Sequence, residues 1–234
     1  MSLLKKLSPF YTLALFYIIV SLILRVVLLF HPITQASFSG VDTLKIFTIG
    51  MVSDSLVFIV LSSLLWLYLL FISNSKYLQP TGYIVFGALV SLFLYVAFGN
   101  TILNEYGGAL PEIGMAFIGL KTLLFGLLLF LPKYRHTIRF WLFSFVIFLF
   151  VTLILQNAIS EFFFWNEFGV KYNFIAVNYL VYTNEVIGNI MQSYPVIPIF
   201  TTLFLISGTI TFFIVKHSNN YIESIPTFTE KIKI

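Results

Sequence analysis

Three ionisable side chains stand inside stretches that are otherwise apolar: Arg25, Asp54 and Lys121. A charge in hydrocarbon is costly, so such residues pair with one another, face a wet cavity or hold a ligand. Arg25 falls near the outer end of the first apolar stretch and Asp54 near the outer end of the second. In antiparallel neighbouring helices the two would share a depth and form an intramembrane ion pair. Lys121 lies about eight residues into the fourth stretch, roughly 12 Å deep at the helical rise. The other reading of the cations is that Arg25 and Lys121 hold an anionic lipid headgroup.

Other chemistries find no support in residue type or spacing. The chain has no cysteine, which removes disulfides, thiolate catalysis and thiolate metal sites. It carries no Gly-rich phosphate loop, no HExxH and no nucleophile elbow. His31, His136 and His217 are far apart in sequence and fall at different membrane faces, which argues against a shared metal site. No basic patch with interleaved aromatics suggests nucleic acid. No cofactor is implied.

The elements that carry these residues are transmembrane helices. Of 234 residues, 59% are hydrophobic and only 9% charged, against roughly 25% charged in soluble domains. Mean hydropathy is +1.00. Lipid must therefore be the solvent. A span needs about 20 apolar residues, and six stretches qualify: about 10–30, 49–72, 82–98, 113–131, 140–159 and 196–215. Proline near several segment ends fits helix limits. The expected fold is an all-α polytopic bundle of about six spans, residues 1–217, followed by a short polar tail, residues 218–234. The first stretch follows Lys5 and Lys6 like a signal peptide, but its run is long and no cleavage site follows, so an uncleaved span is expected.

Lysine and arginine set the orientation. With the N-terminus inside, Lys5, Lys6, Lys76, Lys133, Arg135, Arg139, Lys216, Lys231 and Lys233 fall inside, while Lys45 and Lys171 fall outside. Both termini are then cytoplasmic. The cluster Lys133, Arg135, His136 and Arg139 reads as a topology anchor.

The outer segment 160–195 mixes Phe, Trp and Tyr with Glu161, Glu167, Lys171, Glu185 and several Asn. It is too broken by polar residues to span, and an interfacial amphipathic segment is expected there. Its aromatics Trp165, Tyr179 and Tyr182 join Arg25 and Lys121 as candidates for lipid-headgroup binding. A plain connector is the alternative.

The run SEFFFWNEFGVKYNFIAVNYLVYTNEVIGNIMQSYPV, residues 160–196, resembles a segment in the membrane part of bacterial lipoteichoic-acid-synthase-like proteins. These are phosphoglycerol transferases of the alkaline phosphatase/sulfatase superfamily. IFTIGMVSDSL, residues 46–56, resembles the start of their second helix. Asn178 stands where that pattern has an aspartate. The resemblance implies a bacterial cytoplasmic membrane, a membrane-anchoring domain, and an anionic glycerophospholipid at the outer leaflet. In that family an extracytoplasmic domain with a threonine nucleophile and a divalent metal performs the transfer. Neither motif occurs in these 234 residues, so no catalytic or metal residue is carried over. The expected role is a non-catalytic anchor, as a truncated or split chain, with membrane lipids and a separate periplasmic sulfatase-fold domain as partners. A small-solute transporter or channel, or a structural membrane subunit, are the competing expectations.

Overall fold

The computed structural model describes residues 8–34, 39–70, 75–99, 101–105, 108–172 and 183–218. Among them the chain is helical without strands. The helices are α1 (Ser8–Leu29), α2 (Gly40–Leu70), α3 (Thr81–Phe98), α4 (Ile102–Glu105), α5 (Leu110–Phe130), α6 (Pro132–Phe168), α7 (Thr183–Ser193) and α8 (Val196–His217), with a 3-10 turn at Ser75–Tyr77. Six are long and apolar enough to cross a bilayer: α1, α2, α3, α5, α6 and α8. At most 28% of the most apolar window of any of them is buried. Leucine, isoleucine and phenylalanine cover the remaining surface, and such a surface requires lipid as its solvent.

Three boundaries differ from the sequence reading: the start of α2 and both ends of α6, which begins at Pro132 rather than near residue 140. α2 begins at Gly40 rather than near residue 49. Ser39 caps it: the Asp42 amide donates to Ser39 Oγ at 3.2 Å, and Ser39 Oγ donates to the Asp42 carboxylate at 2.6 Å. This reciprocal pairing satisfies amides that a helix start leaves orphaned. α6 does not stop at residue 159 but continues to Phe168. Ser160, Glu161, Asn166 and Glu167 are polar but not helix-breaking, so the helix leaves the apolar zone intact. It ends where Gly169 adopts φ +66°, with the Gly169 amide donating to the Trp165 carbonyl at 2.8 Å. At 1.5 Å per residue α6 is about 55 Å long and must project beyond a roughly 30 Å core.

The segment before α8 contains α7, too short to span at 11 residues. Its Ile187, Ile190 and Met191 are exposed at helical spacing on one side. That apolar stripe beside Asn189 and Gln192 suits a helix lying in the interface.

The helices divide into two compact units. The first holds the described residues up to Leu69 and from Ser144 onward: α1, α2, the later part of α6, α7 and α8. The second holds Leu70–Phe143. Its core gathers Tyr77, Phe125 and Leu128, packed by Phe86, Leu89, Ile138 and Leu142. α3 and α5 approach closely because α5 offers glycines: a Cβ at Gly126 would lie 2.9 Å from the Phe86 ring, and one at Gly119 3.0 Å from Phe93. Only Leu131 separates α5 from α6. Arg135 reaches back there, donating from Nε to the Leu128 carbonyl at 2.7 Å and from Nη2 to Leu129 at 3.3 Å. Its guanidinium also stacks 4.9 Å from the Tyr77 ring centre. A cation on the last carbonyls of a helix offsets the negative end of its dipole. Burial pushes the Tyr77 phenol above its ordinary pKa, partly opposed by Arg139 and Arg135.

Candidate functional site: the polar cluster and lateral groove of the first unit

Positions spaced by four and three align on one face of a helix. In α1 that face runs Leu13, Tyr17, Ser21, Arg25, Leu28; in α2 it runs Gly50, Asp54, Phe58, Ser62, Leu65, Leu69. The two faces meet antiparallel. Phe58 packs on Tyr17 at 5.4 Å and on Phe10 at 5.6 Å between ring centres. One step further along, Ser21 Oγ donates to Asp54 Oδ2 at 2.5 Å, and Arg25 Nη2 donates to the same oxygen at 2.6 Å. Arg25 Nη1 donates to the carbonyls of Ile46 at 3.0 Å and Phe47 at 3.4 Å. Arg25 is only 5% exposed. Because α2 starts early, Asp54 sits near the middle of that helix rather than at its outer end.

Gly50 makes this geometry possible. A Cβ there would fall 1.5 Å from Arg25 Nη1 and 2.0 Å from its Cζ. The guanidinium occupies the volume that any other residue would fill. The two carbonyls, the carboxylate and the missing side chain together form a slot for one planar cation. Arg25 is thereby buried, makes three hydrogen bonds through its two Nη groups, and has its charge paired with Asp54.

Polar side chains tie the ends of α1 and α6 together. Thr34 Oγ1 donates to the Leu28 carbonyl at 2.6 Å, closing the last turn of α1, and accepts Trp165 Nε1–H at 3.2 Å. His31 meets the Phe162 ring edge-on at 5.5 Å. Lys171 pairs with Glu161 at 3.1 Å, Glu161 being largely covered and Lys171 half-exposed. Tyr194 Oη donates to Glu167 Oε1 at 2.5 Å while its ring packs 4.4 Å from Phe163. Accepting that proton stabilises the protonated phenol, so the Glu167 carboxylate, with some burial, raises the Tyr194 pKa above its usual value. Burial does the same for Tyr172, opposed by a hydrogen bond with Ser160.

Beneath this cap a lateral groove of about 690 Å³ opens between α1, α6 and α8. Val20, Ile23 and Val27 form one wall, Ala158 and Phe162 the second, Thr202 and Ile206 the third. The α1 residues here lie on a different face from Ser21 and Arg25, so the groove is apolar and the buried charge does not enter it. In the same unit, Thr152 Oγ1, Gln156 Oε1, Ser207 Oγ and Thr211 Oγ1 are buried without hydrogen-bond partners among the described residues.

Of the residues singled out in the sequence, Arg25 and Asp54 are in contact, and Trp165 stands in the cap at the end of α6. Lys121 belongs to the second unit, exposed on α5, with its ammonium 5.7 Å from the Phe117 ring. Tyr179 and Tyr182 lie outside the described residues. Ser21, Gly50, Thr34 and Tyr194 join the site although the sequence reading does not reach them, and Glu167, one of the outer-segment acids, gains its partner only in the fold. The four-residue spacings Ser21–Arg25 and Gly50–Asp54 were the available signal for the first two.

Among the described residues, no three His, Asp or Glu side chains converge as a metal site. Comparison of the chain with family models, curated proteins and solved structures returns no match.

Proposed function

We propose that this chain is a non-catalytic membrane domain that holds an anionic glycerophospholipid against its first unit. The observation that carries this reading is the lateral groove. It is apolar, of a size within the range of small-molecule sites, and open to the solvent that a spanning helix must have, namely acyl chains. An acyl tail lies along α1, α6 and α8. The headgroup reaches the capped end, where the half-exposed Lys171 stands beside Glu161 and Trp165 offers an amphipathic ring of the kind that settles at headgroup level. The Arg25–Asp54 pair serves this site indirectly, by fixing α1, which forms one wall.

The asymmetry of lysine and arginine supports a cytoplasmic N-terminus, with the six spans returning the C-terminus to the same side. The groove then faces the outer leaflet of a bacterial cytoplasmic membrane. The resemblance of residues 160–196 to lipoteichoic-acid-synthase-like proteins points the same way. It makes a separate sulfatase-fold chain the natural partner, to which the lipid would be presented.

The test is lipid retention. The purified chain in detergent is loaded with phosphatidylglycerol or phosphatidylcholine and examined by native mass spectrometry. The expectation is preferential retention of phosphatidylglycerol and at least a tenfold loss in Ala158→Trp, which fills the groove. Equal retention of both lipids, or no effect of Ala158→Trp in a folded protein, would discard the proposal. The unpartnered hydroxyls of Thr152, Ser207 and Thr211 favour a second reading, a solute pathway through the first unit. Solute flux in proteoliposomes that falls on Ser207→Ala and Thr211→Val substitution would support that reading instead.

A further inference from the structure

We infer that Lys121 marks a docking surface for a transmembrane helix of another protein, one that carries a carboxylate at mid-membrane. The inference starts from depth. α5 has 21 residues, Leu110–Phe130, about 32 Å at the helical rise and so about one hydrocarbon thickness. Lys121 lies about 16 Å from one end and about 14 Å from the other. Side chains on a helix lean toward its N-terminus, and the ammonium does so here, resting 5.7 Å from the ring of Phe117 one turn earlier. That places the charge at the level of Phe117, about 6 Å inside Ile113, where the apolar stretch begins. A headgroup phosphate lies beyond that end, so snorkelling does not carry the ammonium to it.

Within the second unit no described residue neutralises this charge. Among the described residues Lys121 meets the exposed ring of Phe117 and no carboxylate. Thr122, next in sequence, faces α3 and donates to the Ile118 carbonyl. Lys121 is turned about 100° from it, on a flank where Phe117, Leu120 and Leu123 are exposed as well. The chain's own mid-span acid, Asp54, is already occupied by Arg25 and Ser21. A second copy therefore brings no free carboxylate at this depth. Charge complementarity selects a different chain, with an aspartate or glutamate about halfway along an apolar helix.

A synthetic probe supplies that chemistry. Labelled 21-residue polyleucine peptides, with or without one central glutamate, are mixed with the full chain in phosphatidylcholine nanodiscs. Association is read by energy transfer. The expected result is at least tenfold tighter association of the glutamate peptide than of the all-leucine peptide. That advantage should vanish in Lys121→Leu, persist in Lys45→Leu, and weaken when the glutamate is moved two turns toward either end. Equal affinity for the two peptides overturns the inference, as does an advantage that survives Lys121→Leu. Displacement of the peptide by added phosphatidylglycerol overturns it in favour of a lipid. Self-association of the chain that Lys121→Leu abolishes overturns it in favour of a second copy. None of these readouts depends on the lateral groove, so failure here and failure of the lipid-retention test are distinguishable.

Discussion

Replacing Gly50 by alanine should destabilise this protein, although in most helices the change does the opposite. Alanine is favoured over glycine in a helix interior by about 1 kcal/mol. Here its Cβ would stand 1.5 Å from Arg25 Nη1, 2.0 Å from Cζ and 2.5 Å from Nη2. The guanidinium must leave, and it forfeits Asp54 and the carbonyls of Ile46 and Phe47 together. Hydrogen bonds between membrane helices average only about 0.6 kcal/mol in cycle measurements, too little to outweigh the propensity gain. Stranding one partner of a buried ion pair costs about 3–5 kcal/mol, and that is the term expected to win. The net effect should be a loss of about 2–4 kcal/mol. The measurement is reversible unfolding in mixed detergent micelles followed by tryptophan fluorescence. A neutral background isolates the cause. In an Arg25→Met, Asp54→Leu double variant the slot is empty, and Gly50→Ala should now stabilise by about 1 kcal/mol. Stabilisation by Gly50→Ala in the unaltered protein would refute the reasoning, because it would mean that the guanidinium does not occupy the slot.

Three further outcomes follow from the packing. Arg135→Gln should lower the thermal midpoint and cost about 1–2 kcal/mol, since it uncaps the end of α5 and removes the cation from Tyr77; differential scanning fluorimetry checks this. Gly169→Ala should cost about 1 kcal/mol or more, because φ is +66° and the new Cβ would press to 3.2 Å from Ile33 Cγ2. Hydrogen exchange should then rise in the last turn of α6. The Tyr194 phenol titrates above its ordinary value of 10.0. The stabilisation it contributes is complete below that ordinary value and is lost as pH rises through the elevated one. Phenolate absorbance at 295 nm should accordingly lose a late-titrating component in Tyr194→Phe, while Glu167→Gln should move that component to lower pH.

The apolar stretches were legible at once, because only helices satisfy their own backbone in lipid. Their ends were less so. Hydropathy marks where a helix leaves hydrocarbon, not where it stops. The stretch from Ser160 to Phe168 looked like the start of a loop because Glu161, Asn166 and Glu167 interrupt the apolar run, yet α6 continues to Gly169. Ser39 and Asp42 form a capping pair that could have been read from spacing alone, and it moves the start of α2 outward.

What the amino-acid sequence determines by itself is the solvent, since composition and run length admit no other environment for these helices. It also determines that Arg25, Asp54 and Lys121 stand out as charges the bilayer would penalise. Only the tertiary structure decides their fates, because that depends on which helix faces which. It sets Arg25 over the bare backbone of Gly50 and against Asp54, and it leaves Lys121 exposed on the flank of α5. A charge inside a membrane costs what its neighbours leave uncompensated, and those neighbours come from other turns of the chain.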